Sequence, residues 1–157
     1  MKRSSPCVGR AEGIGIGDQY GDWWDDVLLG SLAPDAIHGG GGSVLIDAGG
    51  QVDVVHGDEG EDIIFGDSGD DELYGGWNDD LIVGGIGADL LSGGAGSDVY
   101  AYNRGDGADR IDNRPGLQSG NTDALSFGGG IREEDVSGYV TAEGVLILQT
   151  GEEGATL

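Results

Sequence analysis

Between Ala11 and Asn103 the chain has no lysine or arginine, although it carries 30 Asp and Glu residues and a formal charge of −23 over 157 residues. With no basic patch to neutralise phosphates, DNA and RNA are excluded as partners. Cys7 stands alone, which rules out an intrachain disulfide and reads as a free structural thiol. No apolar stretch is long enough to span a bilayer, and no apolar run of about 7–15 residues follows Lys2 and Arg3. Neither a membrane span nor a cleaved N-terminal leader is therefore expected. The parts of familiar hydrolytic and nucleotide-dependent sites are missing as well: there is no His-Glu-x-x-His, no Gly-x-Ser-x-Gly and no P-loop.

Glycine and aspartate are abundant, and they recur. Glycine makes up 35 of the 157 residues without the Gly-X-Y period of collagen. From Gly21 to Ala101 the sequence can be written in rows of nine, starting at Gly21, Gly30, Gly39, Ala48, Gly57, Gly66, Gly75, Gly84 and Gly93. The sixth column reads Asp26, Asp35, Val44, Asp53, Asp62, Asp71, Asp80, Asp89 and Asp98. The eighth reads Leu28, Ile37, Ile46, Val55, Ile64, Leu73, Ile82, Leu91 and Tyr100. An acidic block of this length without counter-charge ordinarily stays disordered. The regular apolar column argues instead for a fold in which cations are the missing partner. A Gly-rich half followed by Asp and a short apolar half is the nonapeptide signature of a calcium-binding parallel β-roll.

The chemistry follows from the spacing. Columns one to six form a turn and seven to nine a short strand, with glycine at columns two and four permitting left-handed backbone angles. Side chains alternate along a strand, so columns six and eight point inward and seven and nine outward. Successive rows fall on opposite sheets, which places same-side neighbours 18 residues apart in sequence. Stacked strands lie about 4.8 Å apart. Carboxylates at that distance repel by about 1 kcal/mol in water and about 3–4 kcal/mol at an effective dielectric of 20. A hard cation that takes six to eight oxygens in irregular geometry relieves the clash, and calcium suits this better than magnesium.

These rows resemble the repeats-in-toxin (RTX) family, whose pattern is Gly-Gly-x-Gly-x-Asp-x-(large apolar)-x. In that family each ion lies between two same-side turns. One turn gives the carbonyls of columns one and three and its aspartate; the next gives those of columns two and four and its own. The resemblance implies one site from Gly57, Glu59 and Asp62 with Gly76, Asn78 and Asp80. A second takes Gly75, Trp77 and Asp80 with Gly94, Gly96 and Asp98, and a third Gly66, Ser68 and Asp71 with Gly85, Gly87 and Asp89. A fourth joins the row of Gly84 to Arg104–Ile111, which fits after a two-residue insertion and puts Asp109 in the aspartate column. Upstream rows depart from the pattern: Val44 replaces the ligand, Trp24 and Ala33 occupy glycine positions and Pro34 enters a turn. Sites built on the row of Gly39 should be absent, and those of Gly30 and of Asp53 weak. Roughly four calcium ions are expected.

The fold expected is all-β: an irregular segment over 1–20, a parallel β-roll over 21–112 with two rows per coil, and a β-rich cap over 113–157. In the last of these, Asp123–Phe127 reads as a strand, Ile131–Val136 as a turn or short helical piece, and Tyr139–Thr141 with Val145–Leu148 as a hairpin about Ala142–Gly144. It resembles the module that follows RTX rolls in haemolysin-type calcium-binding proteins, and a solenoid needs such a cap to cover its last coil. The chain stops at Leu157, before that module would be complete, so a truncated cap is expected and the family's C-terminal export signal is in question.

Three further features carry expectations. Gly66-Asp67-Ser68-Gly69 imitates the surroundings of a nucleophilic serine but fills a repeat turn. His38 and His56 share column nine and should stack on the outer face with Tyr74 next, as exposed imidazoles, although neutral imidazoles also suit zinc, copper or nickel. One sheet carries Val27, Leu45, Ile63, Leu81 and Val99 outward with Leu29, Phe65 and Val83, and a covering segment or partner domain is expected there.

Family resemblance thus implies a secreted, extracellular calcium-binding module exported by a type I secretion apparatus, without catalysis of its own. Other readings are the tail of a secreted metalloprotease, lipase or alginate epimerase, with the catalytic domain packed on the sheet of Ile63, Leu81 and Val99, or an element of an adhesin.

Overall fold

A computed structural model describes residues 18–112, 122–129, 131, 136–141 and 146–150. The residues 1–17, the body of the Ile131–Val136 turn and the Ala142–Gly144 loop lie outside the described residues. Within the described residues there are strands and no helix. They are β1 (Gln19–Tyr20), β2 (Val27–Ser31), β3 (Ala36–His38), β4 (Leu45–Gly49), β5 (Val54–Glu59), β6 (Ile63–Ser68) and β7 (Glu72–Trp77). They continue as β8 (Leu81–Ile86), β9 (Leu90–Ala95), β10 (Val99–Tyr102), β11 (Arg110–Ile111), β12 (Ala124–Phe127), β13 (Val136–Val140) and β14 (Leu146–Thr150).

Alternate strands build two parallel sheets, in the orders β1-β3-β5-β7-β9-β11-β14-β13 and β12-β10-β8-β6-β4-β2, and the chain winds between them as a β-solenoid of about five turns. The register is the sequence period: Val27, Leu45, Ile63, Leu81 and Val99 pair in succession along the second sheet. Column eight fills the space between the sheets. Ile37, Ile46, Val55, Ile64, Leu73, Ile82, Leu91, Tyr100 and Ile111 are buried as one core. At the wide downstream end two tyrosines enter the interior with their hydroxyls satisfied: the N–H of Gly93 donates to Tyr100 Oη at 2.7 Å, and Tyr102 Oη donates to the carbonyl of Gly107.

The chain after the last regular row joins the sheets at their ends. β12 adds in parallel to β10, pairing Val99 with Ala124 and Tyr102 with Phe127. β13 and β14 form the antiparallel hairpin, and β14 closes on β11. The described C-terminal strands therefore extend the sheets and do not lie across the apolar face of the second one, where Val27, Leu29, Leu45 and Ile63 remain about 40% exposed. Gln19 and Tyr20, expected to be irregular, form β1 by pairing with Ile37 and His38. Outside the first sheet, His38 and His56 stack with ring centroids 4.8 Å apart; Tyr74 continues the stack at 4.8 Å and Tyr20 at 5.2 Å.

Candidate metal centres

The strands run past columns seven to nine into columns one to three, which the sequence assigns to the turn, and there the backbone is one that glycine tolerates best. Gly76 has φ of 124° and Gly94 of 104°, both at column two. Asp58, Asp67 and Asn78 adopt φ of 68–76°, the left-handed region that Asp and Asn enter more readily than other side chains. Stacking brings together the turns that sequence assigned to common sites. Glu59 pairs with Trp77, Gly76 with Gly94 and Ser68 with Ile86, and Gly87 bridges Gly107. At these junctions main-chain oxygens of one rung lie close against glycines of the next: a Cβ on Gly76, Gly85, Gly94, Gly96 or Gly107 would collide with the carbonyl oxygen of Asp58, Asp67, Gly76, Asn78 or Gly87 respectively.

From Asp53 to Asp109 the aspartate column is buried. Asp53, Asp62, Asp71, Asp80, Asp89, Asp98 and Asp109 are each no more than 3% exposed. In every one, Oδ1 accepts the N–H of the residue one rung upstream. Asp62 accepts from Val44 at 2.8 Å, Asp80 from Asp62 at 2.9 Å, Asp98 from Asp80 at 3.0 Å and Asp89 from Asp71 at 2.9 Å. The second oxygen has no such partner. Oδ2 of Asp53, Asp62, Asp71, Asp80, Asp89 and Asp98 is buried without a hydrogen-bond donor. From Asp62 to Asp98 those atoms face the α-carbon of the glycine that opens their own row. A Cβ on Gly75 would collide with Oδ2 of Asp80 and come within 2.7 Å of the Gly93 carbonyl oxygen; on Gly66 it would come within 2.7 Å of Oδ2 of Asp71.

A buried carboxylate oxygen without a donor is costly unless a proton or cation satisfies it. The electrostatics say the same. Burial pushes Asp80 up to about 8, opposed by the Asp62 N–H and reinforced by the charges of Asp62, Asp98 and Asp79. Burial likewise raises Asp109 to about 7 and Asp53, Asp71, Asp89 and Asp98 to about 6, with Asp62 also raised. The neighbouring charges of Asp89 and Asp106 add to the rise at Asp109, whose Oδ1 accepts the N–H of Asp89 at 3.1 Å. Among the described residues no three His, Cys, Asp or Glu side chains converge on one point. Side chains alone would not complete a centre here, and main-chain oxygens would have to supply the other donors. Hard, oxygen-seeking calcium fits that donor set. Carbonyls already in the ladder, such as that of Trp77 accepting from Gly60 N–H at 3.3 Å, keep a second lone pair.

Family comparison agrees. The model of the RTX calcium-binding nonapeptide repeat, four copies long, matches residues 29–64, 47–82 and 74–108. The chain belongs to the RTX calcium-binding nonapeptide-repeat family. No curated protein matches the sequence. RTX repeats bind calcium and are structural, and the matched span covers the rows that supply the orphaned Oδ2 atoms.

Upstream RTX rows differ from downstream ones in a way the sequence only partly reveals. Asp26 Oδ2 accepts the N–H of Asp22 at 2.9 Å, and Asp35 Oδ2 accepts Ser31 N–H at 2.7 Å and the Ser31 hydroxyl at 2.9 Å. Their second oxygens are satisfied by protein. Val44 lies buried in the column itself. Asp123 was not anticipated: its Oδ1 accepts the N–H of Asp98 at 2.8 Å, so it is the next member of the column. The signal was present in Asp123-Ala124-Leu125-Ser126-Phe127, which repeats the Asp-x-apolar-x half of a row, but 25 residues separate it from Asp98.

Proposed function

We propose that the chain is a calcium-triggered folding module of an RTX exoprotein that leaves the cell by type I secretion, works outside it and has no catalytic activity of its own. The carrying observation is the row of buried aspartate Oδ2 atoms that no donor satisfies. The residues that would hold the ions are Gly57, Glu59, Asp62, Gly76, Asn78 and Asp80 for one site, and Gly75, Trp77, Asp80, Gly94, Gly96 and Asp98 for the next. Gly66, Ser68, Asp71, Gly85, Gly87 and Asp89 supply a third, and Asp89 with Asp109 anchor a fourth. Asp53 offers a weaker position. Each ion supplies positive charge to turns that have no Lys or Arg from 11 to 103.

The export route follows from affinity. Extracellular modules of this chemistry have dissociation constants of about 10⁻⁴–10⁻³ M, which cytosolic calcium does not fill. At a tenfold excess over that constant each site adds about 1.4 kcal/mol to the folded state. Four sites add about 5–6 kcal/mol, on the order of the whole stability of a small domain. The chain would then pass the exporter unfolded and fold outside. The half-exposed column of Val27, Leu45 and Ile63 supports an adjacent domain seated on the second sheet, through Ile63, Leu81 and Val99.

Circular dichroism and titration calorimetry test the proposal together. At neutral pH metal-free protein should lack strand signal, and millimolar calcium should restore it with roughly four ions bound. A strand-rich spectrum in metal-free buffer, with no calcium uptake, would overturn it.

A further inference from the structure

Along one turn edge, the third column of four consecutive same-side rows holds Trp23, Gly41, Glu59 and Trp77. Their stacking is direct: Gly41 N–H donates to the Asp22 carbonyl at 2.7 Å, Gly41 bridges Glu59, and Glu59 pairs with Trp77. Two indoles, 80% and 53% exposed, therefore bracket a glycine and a glutamate over three rungs, about 14 Å of turn edge. The gap is a cleft of about 430 Å³, lined by Asp22, Trp23, Gly41, Asp58, Glu59 and Trp77 among others. Its floor is low because Gly41 has no side chain; a Cβ there would lie 3.3 Å from Cε3 of Trp23. The edge of the Trp23 ring therefore borders the space beside Gly41.

The walls combine aromatic faces with negative charge. Asp58 Oδ2 accepts the Gly40 N–H at 3.3 Å and lies 3.7 Å from His38 Nδ1, and Glu59 is exposed. No Lys or Arg between 11 and 103 is available to fill the cleft from within. A hard metal ion is not the occupant these walls select. Indole offers it no oxygen, and a strongly hydrated ion gains little from an aromatic face. A phosphate or uronate would meet like charge. The group that gains from both walls is a cation with an apolar, weakly hydrated surface, attracted by the indole quadrupole and by carboxylates at the rim. We propose that the cleft binds a quaternary or N-methylated ammonium group.

The test uses the full chain with calcium held saturating, so that it reports on the cleft and not on folding. Choline chloride replaces sodium chloride at constant ionic strength while tryptophan fluorescence is followed, with 3,3-dimethylbutan-1-ol as the uncharged isostere. Choline should give a saturable change in the roughly millimolar range, and the isostere should not. Trp23→Ala should weaken the choline response about fivefold. Trp24→Phe, outside the cleft lining, should leave it unchanged. Trp23→Phe keeps a smaller ring and should fall between, which preserves the test if Trp23→Ala does not fold. Equal responses to choline and the isostere, no saturation, or an unaltered Trp23 variant would each overturn the proposal. So would a saturable response to a neutral trisaccharide in place of choline, which would make the cleft a glycan site.

Discussion

Oδ1 of Asp80 accepts the N–H of Asp62, whereas Oδ2 is buried without a donor and Gly75 leaves the space in front of it open. Two proposed ions would share this carboxylate, which makes Asp80→Asn the most informative single change. Asparagine keeps an Oδ1 for Asp62 but puts an NH₂ donor where both ions need an acceptor. Calorimetry should show about two ions fewer, and stability in calcium should fall by about 3 kcal/mol at a tenfold ligand excess. In metal-free buffer at neutral pH the substitution should instead favour the fold, because it removes a carboxyl that must take up a proton or bury its charge to enter the empty turn. Glu61→Gln, on an exposed side chain of a neighbouring turn, should change neither quantity. Unaltered stoichiometry in Asp80→Asn refutes the shared site. Gly75→Ala offers a steric counterpart: its Cβ would displace Oδ2 of Asp80, at a cost of about 2 kcal/mol or more, without touching any charge.

Stacked turns behave as a titrating column. Asp80 is raised to about 8, Asp109 to about 7 and Asp53, Asp71, Asp89 and Asp98 to about 6, all chiefly by burial. A carboxyl whose folded pKa lies above its unfolded value binds protons better in the fold, so stability is highest below the unfolded pKa and is lost as pH rises through the folded one. Metal-free roll should therefore be most stable near pH 4 and lose stability up to about pH 8. Calcium inverts the trend, since ions and protons compete for the same oxygens and acidification weakens ion binding. Melting curves at pH 4.5 and 8, in stripped buffer and in calcium, check both signs; metal-free stability that rises with pH rules out the arrangement. The columns behind this behaviour were legible in sequence, because period two within a strand and 18 between same-side rungs fix the facing and neighbours of each Asp. What escaped was whatever the period does not encode. Asp123 enters the column after a 25-residue excursion, and Ser31 satisfies Asp35 through a hydroxyl at column two, where the pattern has glycine. The C-terminal strands could be recognised as strands, but joining a sheet end or covering a face depends on which edges are open in three dimensions.

Across the whole molecule, a charge of −23 must be overcome before the rungs can stack, and ordinary salt screens only part of it. At 1 M ionic strength the Debye length falls to about 3 Å, which quiets exposed carboxylates such as Glu59 and Glu61. It does little for Asp62, Asp80 or Asp98, whose carboxylates must enter the interior where no mobile ion follows. Sodium chloride and calcium should therefore act on different stages. In metal-free buffer at neutral pH, 1 M sodium chloride should compact the chain, seen as a smaller radius of gyration in X-ray scattering, while the circular dichroism remains that of an unfolded chain. Millimolar calcium in low salt should give both compaction and strand signal. If high sodium chloride alone produced the strand spectrum, general repulsion would be the barrier, and the buried Oδ2 column would not be what calcium completes.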